Sequence, residues 1–232
     1  MRTSVWEQIY TSHLTIGGSQ ITWREIIGNG FGMASAIGGM RRKVWAWPVG
    51  IVGNVLLFTV FAGLVFGMDD RAPMLGQAGR QIFFIVTSLY GWYVWRESKN
   101  KGSTGEAVIP HWASAKQRLG YVIAWGAGVV VMHWVFEIIG AGWPAPWWYF
   151  WCDAWIFVGS LLATYAMARG WNDFWLMWLA VDLVGVPELI YSKYYPSAAL
   201  YALYALLVAY GFTQWLRASR SRDVAAREME AS

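Results

Sequence analysis

Trp171 to Asp182 reads WNDFWLMWLAVD and places Trp175, Trp178 and Asp182 at i, i+3 and i+7 inside an apolar run. On an α-helix these three positions share one face, within about 60° of each other. Two indoles and a carboxylate on one face can stack a flat ring and bind its polar edge. The stretch therefore reads as one wall of a small-molecule site, and the surrounding chain decides in what solvent that wall stands.

The solvent is lipid. With 57% hydrophobic residues, 14% charged residues and 18 Trp in 232 positions, the chain is too apolar and too aromatic for a water-soluble domain of this length. Apolar runs of about 20 residues, each enough to cross a hydrocarbon layer of roughly 30 Å, recur along most of it. The net charge of +4 does not point to nucleic acid, because the basic residues sit in short loops and act as topology signals. Cys152 is the one cysteine, which excludes an internal disulfide. His13, His111 and His133 show no metal-ligand spacing, so no metal and no cofactor are expected. The start, MRTSVWEQIYTSH, lacks a basic region followed by an apolar core and does not read as a cleaved signal.

The expected organisation is an N-terminal arm over 1–21 and a first three-helix repeat over 22–95, with spans at 22–40, 44–66 and 75–95. A polar linker over 96–118, containing Gly102, Ser103 and Gly105, leads to a connecting helix over 119–139. A second three-helix repeat over 147–216 has spans at 147–168, 172–192 and 198–216, and a solvated tail covers 217–232. Asp69, Asp70 and Pro73 in MDDRAP stop the second span, GAGWPAP and KYYPS form turns, and Pro187 is a potential kink. With the C-terminus inside, thirteen lysines and arginines fall inside and five outside. The positive-inside rule thus favours seven transmembrane helices with the N-terminus out and the C-terminus in.

The sequence repeats itself. Trp47 to Asn54 has the separation of Trp175 to Asp182 at an offset of 128, and Tyr90-Gly91 with Trp95 matches Tyr210-Gly211 with Trp215 at an offset of 120. Two three-helix units separated by one helix have the same orientation in a bilayer, so the expected fold is an all-α membrane protein with 3+1+3 parallel repeats. Such plans occur in transporters that bind substrate near the midplane, at the repeat interface. Asn54 and Asp182 lie ten residues into their spans, roughly 15 Å deep. Gln81, from the outer end of the third span, adds a donor and an acceptor. The expected binding residues are therefore Trp47, Asn54, Gln81, Trp175, Trp178 and Asp182, an asymmetric set for one oriented ligand.

The run NVLLFTVFAGLVF, Gln81 followed by IFFIVTSLYGWYVW, and W-x-x-W-x-x-x-D at Trp175, Trp178 and Asp182 resemble the PnuC family of vitamin-precursor transporters over residues 25–217. That resemblance implies a fold like the SWEET sugar transporters and uptake of nicotinamide riboside for NAD biosynthesis. Relatives carry thiamine, riboflavin or deoxynucleosides. It further implies facilitated diffusion with intracellular phosphorylation trapping the substrate, a homo-oligomer (a trimer), and residence in the plasma or cell inner membrane. The chain departs from the family at Trp171 and Asn172, where a basic residue or glutamine is frequent, and at Asp182, where asparagine is common.

Each residue also has a plainer role. Tryptophans anchor membrane borders, and Asn54 and Gln81 also suit helix-to-helix contacts. A carboxylate at the midplane costs at least roughly 2.5 kcal/mol on insertion scales and seldom persists without a function. Glu137, Glu188 and Asp153 lie nearer span ends and read as structural or wetted. Tyr90, Gly91, Tyr210 and Gly211 read as close-packing positions and His133 as a core histidine. A retinal photoreceptor would need a lysine inside the seventh span, and 198–216 has none. A membrane enzyme would gather its acids at one face, and here they are scattered, so no enzymatic activity is expected.

Overall fold

The computed structural model of the chain describes residues 13–16, 19–62, 75–101, 107–139, 146–191 and 195–231. The stops at Asp69, Asp70 and Pro73, the glycines of the linker at 102–105 and most of GAGWPAP lie outside the described residues. Two short strands, β1 (His13–Ile16) and β2 (Ser19–Thr22), pair antiparallel with His13 opposite Thr22. Among the described residues seven helices follow: α1 (Trp23–Met40), α2 (Ala46–Phe61), α3 (Leu75–Lys101), α4 (Ala115–Ile138), α5 (Tyr149–Ala168), α6 (Asp173–Tyr191) and α7 (Tyr195–Ala231). The chain divides into two compact units at Tyr93/Val94, inside α3.

Within the first unit, β2 runs directly into α1, and the Thr22 side chain caps that helix by accepting from Glu25 N at 3.3 Å. Glycines let α1 and α2 meet closely, the usual device where lipid offers no hydrophobic drive to helix pairing. A Cβ on Gly53 would lie 2.9 Å from Gly28 O and 3.0 Å from Phe31 Cβ. Polar bonds reinforce the pair, with Ser35 Oγ donating to Ala46 O at 2.7 Å and the buried Arg24 donating through Nη1 to Thr59 Oγ1 at 3.1 Å. The Trp47 ring lies against Gly91 of α3, where any side chain would collide with it.

Within the second unit, α4 and α6 both pack on α5, and α7 packs on α6. Gly159 of α5 admits the Trp125 ring from α4, and a Cβ there would also lie 2.6 Å from Val181 Cγ2 of α6. The pairs Phe31/Gly53 and Gly159/Val181 stand 128 residues apart, with the large and small partners exchanged between helices. In each contact a glycine makes room for the larger partner.

The turns before α2 and α6 match bond for bond at the same offset. Arg42 N donates to Gly39 O and Lys43 N to Gly38 O, each at 2.9 Å, while Gly170 N donates to Met167 O and Trp171 N to Ala166 O, each at 3.0 Å. Both are paired Schellman bonds around a left-handed residue. That residue is Gly170 (φ 75°) in one turn and Arg42 (φ 53°) in the other. For arginine this conformation costs about 1–2 kcal/mol that glycine avoids.

The surface reverses the soluble pattern. On α4, Leu119, Val122, Ile123, Val131, Trp134 and Ile138 are exposed while His133 is buried, which is the arrangement of a helix facing lipid with its polar group turned inward. Helices α4 and α5 are each long and apolar enough to cross a membrane.

Several ends differ from the expectation. The arm over 1–21 contains β1 and most of β2. Helix α3 continues to Lys101 and α7 to Ala231, well past the apolar spans expected to end at 95 and 216. Beyond the apolar core, good helix formers extend the winding, and Lys101 pairs with Glu97 one turn back at 2.6 Å. Helix α4 begins at Ala115, four residues before the expected span, because Ser114 and Gln117 form a reciprocal capping box.

Candidate functional site

Helix α6 carries half of the expected residues. Trp175 is 4% exposed and Asp182 6%, whereas Trp178 is half-buried. The Trp175 ring lies 4.2 Å from that of Phe174 and meets Trp215 of α7 edge-on at 6.0 Å. It thus belongs to an aromatic cluster as well as to the proposed wall. In the first unit Trp47 and Gln81 are buried and Asn54 is half-buried.

Three of these residues bury polar atoms with no hydrogen-bond partner among the described residues: Gln81 Oε1, Trp175 Nε1 and Asp182 Oδ2. Each such group costs about 1–3 kcal/mol when left unmade, and Arg80 Nε, Trp125 Nε1, His133 Nδ1 and Asn172 Oδ1 share that condition outside the expected set. Within the second unit, an indole and a carboxylate seven residues apart on α6 can stack a flat ring and accept from its polar edge.

The aromatic cluster has a feature that the spacing alone does not bring forward. Trp95 and Trp215, the matched residues of the YGWYVW end and its counterpart, are both fully buried and lie 6.3 Å apart. Trp95 Nε1 donates to Ala168 O at 3.2 Å, and Trp215 meets Phe174 edge-on at 4.8 Å. At span ends both read as interfacial anchors; their common offset is the signal that they are partners. A cavity of about 330 Å³ adjoins Trp95, lined also by Ser98, Val108, His111 and Arg169. It shares none of the six expected residues.

Asp173 is also absent from the expected set. It is 2% exposed and accepts from Ala113 N at 2.8 Å, Arg118 Nε at 2.7 Å and Tyr121 OH at 3.1 Å. The segment from Ala107 is therefore packed onto the start of α6 rather than hanging as a linker. An acid in the first turn of one helix and a basic residue at the start of another, both on the expected inner side, are the available hint. His133 is a core residue, stacked on Trp151 at 3.8 Å, yet its Nδ1 has no hydrogen-bond partner among the described residues.

Apolar helices with exposed hydrophobic faces and inward polar groups define a polytopic membrane protein. The family model for nicotinamide mononucleotide transporters matches residues 22–217, and the chain belongs to that family, the PnuC transporters of vitamin-related compounds. It is 35% identical over 200 residues to the riboflavin/roseoflavin transporter RibM of Streptomyces davaonensis, covering 86% of this chain and 87% of the relative. It is 23% identical over 233 residues to the nicotinamide riboside transporter PnuC of Escherichia coli, covering 90% and 92%. Its fold matches the crystal structure of a vitamin B3 transporter PnuC with a TM-score of 0.64 at 17% identity, over 86% of this chain and 83% of that one.

Proposed function

We propose that the chain carries riboflavin, or a flavin of the same shape, across the plasma membrane by facilitated diffusion. The observation that carries this reading is the 35% identity to a riboflavin/roseoflavin transporter along 86% of the chain. The site chemistry supports it. A flavin joins a broad flat ring, suited to Trp175 and Trp178, to an imide edge and a hydroxylated chain, suited to Asp182, Asn54 and Gln81, with Trp47 as the first unit's indole. Base stacking on one aromatic contributes about 1–3 kcal/mol and each bond to a charged group about 1.5–3, so a few such contacts reach micromolar affinity.

Nicotinamide riboside is the second reading, favoured by the family's description and the Escherichia coli relative. Both solutes pair an aromatic ring with hydroxyls, and intracellular phosphorylation traps either one. The matched turns and the exchanged Phe31/Gly53 and Gly159/Val181 contacts support a 3+1+3 parallel repeat. The distribution of basic residues supports the N-terminus outside and the C-terminus inside. A trimer rests on the family resemblance.

Uptake of labelled riboflavin into vesicles containing the purified protein tests the mechanism. The rate is expected to be the same with and without a proton or sodium gradient, and a strong dependence on either would rule out simple facilitation.

A further inference from the structure

We propose that Asp173 is a positioning residue of the transport site, holding the first turn of α6 so that Trp175 and Trp178 present their rings to the substrate. This rests on the reading of those two indoles as substrate-contacting.

The turn itself does not need an acid. In the first unit the same turn forms with Trp45 at the matching position, 45% exposed, and α2 still starts with Ala46 N donating to Lys43 O at 3.1 Å and Trp47 N to Val44 O at 3.3 Å. The second unit has the corresponding bonds from Phe174 N to Trp171 O and from Trp175 N to Asn172 O, each at 3.2 Å. It adds the Asp173 carboxylate to them.

What the carboxylate adds is attachment. Oδ2 takes Ala113 N, and Oδ1 takes Arg118 Nε and Tyr121 OH, so α6 is tied to the segment before α4 and to α4 itself. Beside it, His111 N donates to Gly170 O at 3.0 Å and Asn172 N to His111 O at 2.8 Å. The fully buried Asn172 reaches Ser219 of α7 at 3.4 Å. A buried charge with three donors is tolerated only when its partners hold their places. Trp175 and Trp178 follow two and five residues later on the same helix, so a rotation or slide of that first turn moves both rings.

The test uses Asp173→Asn, Arg118→Gln, the double variant and Trp178→Ala in the full chain. Riboflavin Kd is measured by quenching of flavin fluorescence, KM and Vmax by vesicle uptake, and oligomer integrity by size exclusion; if the unaltered protein prefers nicotinamide riboside, that solute is the probe. Either single change is expected to raise Kd and KM about tenfold, the factor corresponding to one charge-assisted hydrogen bond. Vmax per folded protein should stay within about twofold. The double variant should bind no worse than the weaker single one, because both act through one cluster.

If Asp173→Asn does not fold, Arg118→Gln decides, since it leaves the Ala113 and Tyr121 bonds in place. Unchanged Kd in the folded variants, or a loss confined to the amount of folded protein, overturns the positioning role. Unchanged Kd in Trp178→Ala overturns the stacking reading instead.

Discussion

Replacing Trp215 with alanine is expected to lower the thermal stability of the purified protein sharply, by about 3–5 kcal/mol of folding free energy. The ring is fully buried and touches Trp95, Phe174 and Trp175. Lipid weakens the hydrophobic part of this cost, because a tail is as apolar as the core. The lost packing is not recovered, since neither lipid nor water can fill a cavity closed by three other rings. Thermal unfolding in detergent, followed by the loss of monodisperse protein, measures the effect. A transition within a degree or two of the unaltered protein would show that the cluster does not hold α7 to its neighbours.

Replacing Asp182 with alanine is expected to act in the opposite sense on stability and strongly on binding. Its Oδ2 is buried without a partner among the described residues, so removing it from the ligand-free protein relieves a cost, and the melting temperature should be unchanged or higher. Binding should fall by about 10- to 100-fold, the equivalent of one buried hydrogen bond to a charged group. A trade of stability for function of this kind is usual at binding sites. Flavin quenching gives the affinity and a thermal melt the stability. A fall in stability with unchanged affinity would assign Asp182 to helix packing instead.

The seven helices are legible in the sequence because lipid imposes its thickness on the chain, so apolar runs mark the crossings directly. What lies beyond the hydrocarbon layer obeys other rules. Lys99 to Lys101 and the stretch after Leu216 are polar, which reads as the end of a span, yet Glu, Lys, Ala and Arg are strong helix formers and the helices continue through them. The hairpin at His13 to Thr22 has too short an alternation to separate it from an arm.

Polar residues inside apolar spans are expensive, which is what brings Asp182, Asn54 and Gln81 forward in the sequence as candidates. Trp175 shows the limit of that approach. Its spacing with Trp178 describes a wall, but only the folded structure reveals that its ring is packed against Phe174 and Trp215. The proposed repeat shows in the sequence at Trp47 and Trp175 and in the two YG…W ends. The matching turns do not, because Arg42 and Gly170 share a backbone conformation and no side-chain chemistry. Asp173 is hidden for a similar reason: its three donors come from a backbone amide, an arginine and a tyrosine 52 to 60 residues away in sequence.

The preference among vitamins tests riboflavin carriage most directly. Purified protein is titrated with riboflavin, and the bound flavin is then challenged with nicotinamide riboside, thiamine and a deoxynucleoside. Saturable flavin quenching with micromolar affinity is expected, with the other three displacing riboflavin only at concentrations at least about tenfold higher, a gap of roughly 1.4 kcal/mol. Tight binding of nicotinamide riboside with no saturable binding of riboflavin would contradict the assignment.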